Sequence, residues 1–225
     1  MTRRRLSGKM LPPGAMAPTV NPRIPLSLLE AVRRIDTPEE DPDAEYVQEL
    51  RNKRLGLSDT VYQQIRRYSD AVKRGQMIPY AEATGLGTLI GRRPDAKRLF
   101  VSAGEIFAND VYLSISPGRR RIIRHAPAIV ARRLAMSNIR QIARRFFGGS
   151  LTSEGDLVCL TIEDSVTANS APDAVGCEYY ASALRELIRL LINSGGSINH
   201  VKCLERGDGS CEWHAEWGTA HSEAA

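Results

Sequence analysis

Three of the four cysteines, both tryptophans and two of the four histidines fall between residues 176 and 217. No other stretch of the chain restricts its fold as much. It opens with Gly176-Cys177-Glu178-Tyr179-Tyr180 and continues into an amphipathic segment. Tyr180, Leu184, Leu187, Ile188 and Leu191 recur at helical spacing, with Glu178, Arg185, Glu186 and Arg189 between them, which predicts a helix over Cys177–Asn193. Two β-prone runs follow, Ile198–Leu204 and Cys211–Trp217, around the turn sequence Arg206-Gly207-Asp208-Gly209-Ser210. A hairpin of this form sets Cys203 opposite Cys211. Cys177 stands at the start of the helix, where the dipole favours a thiolate.

His200 lies three residues before Cys203. Three thiolates and an imidazole make a tetrahedral Cys₃His set, the chemistry of a structural zinc with no position left for catalysis. The expected ligands are Cys177, His200, Cys203 and Cys211. One obstacle stands in the spacing. On a flat strand, residues three apart point to opposite faces, so the set needs a bulge or a strand that begins after His200. The alternative is three buried cysteines acting as small hydrophobes, with His200 exposed, because the chain has no CxxC pair.

Cys177, the helix after it, and Cys203-Leu204-Glu205-Arg206-Gly207-Asp208-Gly209-Ser210-Cys211-Glu212-Trp213 resemble the C-terminal motif of the V4R (4-vinyl reductase) domain family. The resemblance covers residues 148–217. It implies a ligand-binding fold related to the haem-NO-binding and Bet3-like domains. In phenol-sensing members it implies a zinc held by three cysteines and an acidic residue three positions before the second cysteine. Here that position is His200, which is also a competent ligand. Those sensors grip their ligand with a histidine and a tryptophan upstream of the first cysteine. This chain has no tryptophan before Trp213, and its only histidine there is His125.

The first two thirds read as helical. Residues 1–24, rich in Pro, Gly and basic residues, are expected to be a disordered tail, with N-terminal helices over 25–56 and an α+β domain over 57–219. Helices are expected over Pro25–Ile35, near Ala44–Leu55, from Ser58 to Gly75, over Pro79–Ile90, and from Pro94 to Leu113 with Leu99, Val101, Ile106, Val111 and Leu113 buried. Pro127 should split the next stretch, and Ser137 or Asn138 should cap a further piece ending at Phe146-Phe147. From Gly148 the period changes to two, which predicts a β-β-α-β-β unit. The fold class is therefore α+β: a helical N-terminal part packed on a four-stranded, mainly antiparallel sheet.

Other features carry weaker chemistry. Gly85-Leu86-Gly87-Thr88-Leu89-Ile90-Gly91 lacks the strand before it and the Gly-Lys-Ser/Thr after it that a phosphate loop needs. Cys159 reads as a buried thiol on a strand. Trp213 and Trp217 share a strand face with Cys211, and with Phe146, Phe147 and Tyr180 they either line an apolar ligand pocket or form ordinary core. The net charge is +5, yet Arg119, Arg120, Arg121, Arg124, Arg132, Arg133, Arg140, Arg144 and Arg145 fall in one stretch free of Asp and Glu. That stretch is either a pair of solvated helix faces or a surface for nucleic acid or another polyanion.

No run is apolar enough for a membrane span, and the basic start is not followed by an apolar signal core, so a cytoplasmic address is expected. The function expected is that of a non-enzymatic sensor for a hydrophobic small molecule, braced by zinc and signalling through a homodimer or a separate partner. A tetrapyrrole-biosynthesis factor and a nucleic-acid-binding protein are the alternatives.

Overall fold

A computed structural model describes residues 17–37, 56, 58–155, 157–192 and 196–216. In chain order the elements are β1 (Thr19–Val20), α1 (Arg23–Asp36), α2 (Asp59–Arg74), β2 (Ile78–Pro79), α3 (Tyr80–Gly91), α4 (Ala96–Ser114), α5 (Pro117–His125) and α6 (Ala128–Ile142). A π-helical turn (Ala143–Phe147) leads to β3 (Ser150–Glu154) and β4 (Leu157–Ile162). Then come a 3₁₀ segment (Pro172–Cys177), α7 (Glu178–Ile192), β5 (Ile198–Lys202), a short 3₁₀ turn (Leu204–Arg206) and β6 (Cys211–Glu216). The class is α+β, as the sequence pattern predicts.

The main sheet has the order β3-β4-β6-β5 and every neighbouring pair is antiparallel. Its inner face carries Leu151, Val158, Leu160, Ile162, Cys211, Trp213 and Ala215, all buried. The alternation of period two is therefore strict in β4 and β6. Helix α7 packs against α4, α1 packs against α4 as well, and Ser27 of α1 meets the Tyr179 hydroxyl of α7 at 3.1 Å. The α4–α7 contact is close because Gly104 faces Tyr179 and Ser182: a Cβ there would lie 2.0 Å from Ser182 Oγ and 2.3 Å from the Tyr179 carbonyl.

Local chemistry explains most helix boundaries. Ser58 caps α2 by accepting the Val61 amide at 3.3 Å, and Gly75 closes it in the left-handed region. Pro127 separates α5 from α6. The expected break at Ser137 or Asn138 is absent. Asn138 is buried inside α6 and donates to the Leu134 carbonyl at 2.7 Å, so its amide is satisfied without ending the helix.

Other expectations are corrected. Residues 17–24 belong to the fold: Val20 pairs with Ile78, and Ile24 is buried in α1. Residues 1–16 and the helix expected near Ala44–Leu55 lie outside the described residues. In α4, Leu99 and Val111 are buried with Phe100, Ala103, Phe107 and Ala108, whereas Leu113 is exposed. The stripe is wider than the sequence suggested because α1 and α7 cover two sides of this helix. The Gly85–Gly91 run lies in helix α3, in line with the helix expected over Pro79–Ile90.

Asp36 at the end of α1 accepts two hydrogen bonds from Arg93, at 2.7 and 2.9 Å, and one from the Gly56 amide at 2.8 Å. Arg93 also holds Asp95 through Nε at 2.8 Å. Burial pushes the Asp36 carboxyl up, but the Arg93 and Gly56 hydrogen bonds outweigh it and hold it below the ordinary range.

Candidate metal centre

Three pieces of chain meet at the cysteine cluster. Cys177 arrives at the end of a segment that runs through the interior, where Ser165, Val166, Thr167, Ala168 and Ser170 are buried. Buried backbone needs partners, and side chains supply them. Val166 N–H donates to the Tyr180 hydroxyl at 3.1 Å, Tyr80 donates to the Ser165 carbonyl at 2.9 Å, and Thr167 donates to the Gly176 carbonyl at 2.7 Å. Just before Cys177, Asp173 and Ala174 both adopt left-handed backbone (φ 58° and 57°), which disfavours an alanine. The Ala174 amide donates to the Glu205 carboxylate, tying this turn to the hairpin.

The hairpin supplies the other three side chains. His200 pairs with Trp213 and Lys202 with Glu212, so β5 bulges between them and Val201 is the additional residue. The bulge reverses the alternation once. His200 and Cys203, three apart, therefore turn to the same side, which removes the obstacle seen in the spacing. Beyond the bulge the Cys203 carbonyl accepts the Arg206 and Asp208 amides at 3.0 and 3.1 Å, and the Asp208 carboxylate accepts the Cys203 amide at 2.7 Å. Gly207 completes this turn at φ 92°. The Leu204 amide points at Cys211 Sγ, 3.4 Å away.

The donor atoms of Cys177, His200, Cys203 and Cys211 all lie within 4.8 Å of one another. Cys177 Sγ is 3.7 Å from Cys203 Sγ and 3.8 Å from Cys211 Sγ. A disulfide would bring two sulfurs to about 2.05 Å, and all four cysteines are free. A tetrahedron with metal–sulfur bonds of about 2.3 Å has an edge of about 3.8 Å. The three cysteines are fully buried. His200 Nε2 is also shielded from solvent and has no hydrogen-bond partner among the described residues, a costly state for a ring nitrogen. The donor set can thus hold a metal ion, and with four ligands it is closed.

Charge in the cluster is uneven. The hydrogen bond to Cys211 and burial push the Cys177 thiol up, while the same bond, the His200 imidazole and the Leu204 amide draw Cys211 down. At Cys177 burial and the neighbouring sulfurs therefore oppose the favour that a helix terminus gives a thiolate.

The other sequence candidates fall in different places. Phe146, Phe147, Tyr180 and Trp213 are buried and pack ring on ring, with Phe147–Tyr180 centroids 5.0 Å apart and Tyr180–Trp213 centroids 5.3 Å apart. Trp217 lies outside the described residues. A cavity of about 310 Å³ touches this group at Trp213, and its wall includes Cys177, His200, Arg185 and Arg206. Of the nine arginines, Arg119, Arg121, Arg124, Arg133, Arg144 and Arg145 are exposed. Arg120 lies over the Tyr112 ring, Arg132 donates to the Gly155 carbonyl and Arg140 to the Leu151 carbonyl. Cys159 is not in the core. It stands on the outer face of β4, opposite His214, because the inward positions are Val158, Leu160 and Ile162. Sequence reasoning missed Glu205 and Asp208 as supports of the cluster. The only signal for them was their place in the turn between two expected ligands.

No family model matches the chain, and no curated protein matches it.

Proposed function

We propose that this chain is a non-enzymatic, V4R-like small-molecule-binding domain in which Cys177, His200, Cys203 and Cys211 hold a structural zinc. The observation that carries the reading is the sulfur spacing of 3.7 and 3.8 Å beside a half-buried imidazole with an orphaned nitrogen. Thiolates and imidazole suit zinc, and a filled tetrahedron gives it no vacancy for substrate. Bound there, zinc would supply charge neutralisation for three thiolates and a crosslink between the 3₁₀ segment before α7 and the hairpin.

The ligand would sit in the 310 Å³ cavity beside the cluster. That size suits a small aromatic molecule. Trp213 lines this space with Arg185 and Arg206, and Asp173 and Glu178 stand on the same wall. The two guanidiniums would suit an acidic group on an aromatic compound. The output would pass to a second copy or a separate partner. Among the described residues no helix is long and apolar enough to cross a membrane.

Two measurements test the reading. Metal analysis of chelator-free protein should return about one zinc per chain. A panel of aromatic acids should quench tryptophan fluorescence in the wild type and do so less in Arg185→Ala. Absence of zinc, or equal quenching in both proteins, would overturn the corresponding half.

A second reading rests on the six exposed arginines of α5, α6 and the turn that follows. They suit a polyanion. Binding of random-sequence DNA that weakens steeply with salt would support it, and no binding at low salt would end it.

A further inference from the structure

Strand β6 carries side chains of metal-ligating type on both of its faces. Cys211 turns inward to the buried cluster, while Glu212 and His214 turn outward. On the outer face Cys159 of β4 is the direct cross-strand partner of His214, and Thr161 is the partner of Glu212. Directly opposed residues in an antiparallel pair bring their side chains close enough to share an ion. The donor atoms of Cys159, Glu212 and His214 lie within 4.8 Å of one another. None of the three is exposed and none is fully buried.

We propose that Cys159, Glu212 and His214 form a second site for a divalent, zinc-class ion, open to solvent and separate from the buried cluster. One thiolate, one imidazole and one carboxylate are a donor set for zinc and its neighbours, not for magnesium or calcium. Three protein ligands leave a fourth position for water or an incoming ligand, the arrangement of an exchangeable or reactive site. The two strands fix the donors before any ion arrives. Lys202 Nζ holds Glu212 Oε2 at 2.7 Å and leaves Oε1 facing His214 Nε2, also at 2.7 Å. Entry of the cation replaces that His214–Glu212 hydrogen bond and takes the Cys159 proton to solvent. The site needs nothing from Cys177, His200 or Cys203, so it stands whether or not the buried cluster holds zinc.

The test uses the full chain and zinc ions alone. Equilibrium dialysis against zinc should load one equivalent more in the wild type than in Cys159→Ser or His214→Gln, both substitutions on the solvent-facing side of the sheet. Alkylation mapped by mass spectrometry gives a second readout, since Cys159 is the one cysteine that is not buried. Zinc should block iodoacetamide at Cys159, a chelator should restore it, and His214→Gln should lose the block. Equal zinc content in wild type and His214→Gln, or Cys159 alkylation that is indifferent to zinc, overturns the proposal. Failure of the buried cluster has a different signature: Cys203→Ser then holds as much zinc as the wild type, while the block at Cys159 persists.

Discussion

The His200 imidazole lies flat against the Trp213 indole, with 15° between the planes and 5.0 Å between centroids. Trp213 is itself fully buried between Tyr180 and the cluster. The stack fixes the plane of the one nitrogen donor, and the bulge at Val201 fixes its side of the strand. Orientation of a ligating ring by a neighbour is a large part of what makes a metal site tight.

His200 should therefore tolerate replacement by a shorter anionic ligand and not by an inert one. His200→Ala is expected to weaken zinc binding by at least about tenfold, the loss that disturbing a ligand's surroundings already causes. His200→Asp should retain most of the affinity, because a carboxylate is also a zinc ligand. Competition against a chromophoric chelator measures both. An alanine variant as tight as the wild type would remove His200 from the site.

Metal removal should loosen one region before the rest. The cluster joins the 3₁₀ segment before α7 to the β5–β6 turn, whereas the α1–α4–α7 core is built from apolar contacts that need no metal. A chelator is expected to lower the melting temperature and to deprotect amides of residues 198–216 in hydrogen exchange, with the α4 and α7 amides the last to open. Unchanged melting and exchange after chelation would show that the four side chains carry no structural ion.

The β-β-α-β-β order and the inward faces of α7 and β6 were legible because period two and period 3.6 differ sharply there. Pro127 and Ser58 were legible because their backbone chemistry is local. What escaped depends on tertiary partners. Asn138 looked like a cap, and only the burial of α6 explains why it bonds back to Leu134. Cys159 looked like core, and the register of β4 against β6 sends it outward beside His214. The bulge could be required by the spacing of His200 and Cys203 but not seen in it. Nothing in the order of residues shows that Arg93 reaches back to Asp36.

That ion pair sets an acid response. Asp36 and Asp95 are both held below their ordinary values by Arg93, with burial opposing the shift at each. Carboxylates of this kind stabilise the fold fully above their unfolded pKa of about 4, and the contribution is lost as pH falls through the lower folded value. Asp36→Asn should cost about 1–3 kcal/mol at neutral pH, since it leaves a partly buried guanidinium with one partner fewer. Its stability should also fall less steeply than the wild type's as pH drops below about 4. Parallel denaturant titrations at neutral and acid pH report both effects, and parallel acid slopes in the two proteins would refute the linkage.

Two glycine-to-alanine changes separate helix propensity from packing. Alanine in place of a helical glycine is worth up to about 1 kcal/mol where nothing opposes it. Gly85 in α3 is exposed and has no atom within 4 Å of its would-be Cβ, so Gly85→Ala should stabilise by up to that amount. Gly104→Ala gains the same propensity but places its methyl 2.3 Å from the Tyr179 carbonyl, which is backbone and cannot rotate away. Parting α4 from α7 costs about 1–3 kcal/mol, so the sign reverses and the variant is destabilised. Ser182→Ala should not rescue it, because the carbonyl contact remains. The displacement would reach the metal centre as well, since α7 begins at the residue after Cys177. Gly104→Ala should therefore bind zinc more weakly than Gly85→Ala. Equal melting temperatures for the two variants would mean that α4 and α7 do not meet as closely as Gly104 requires.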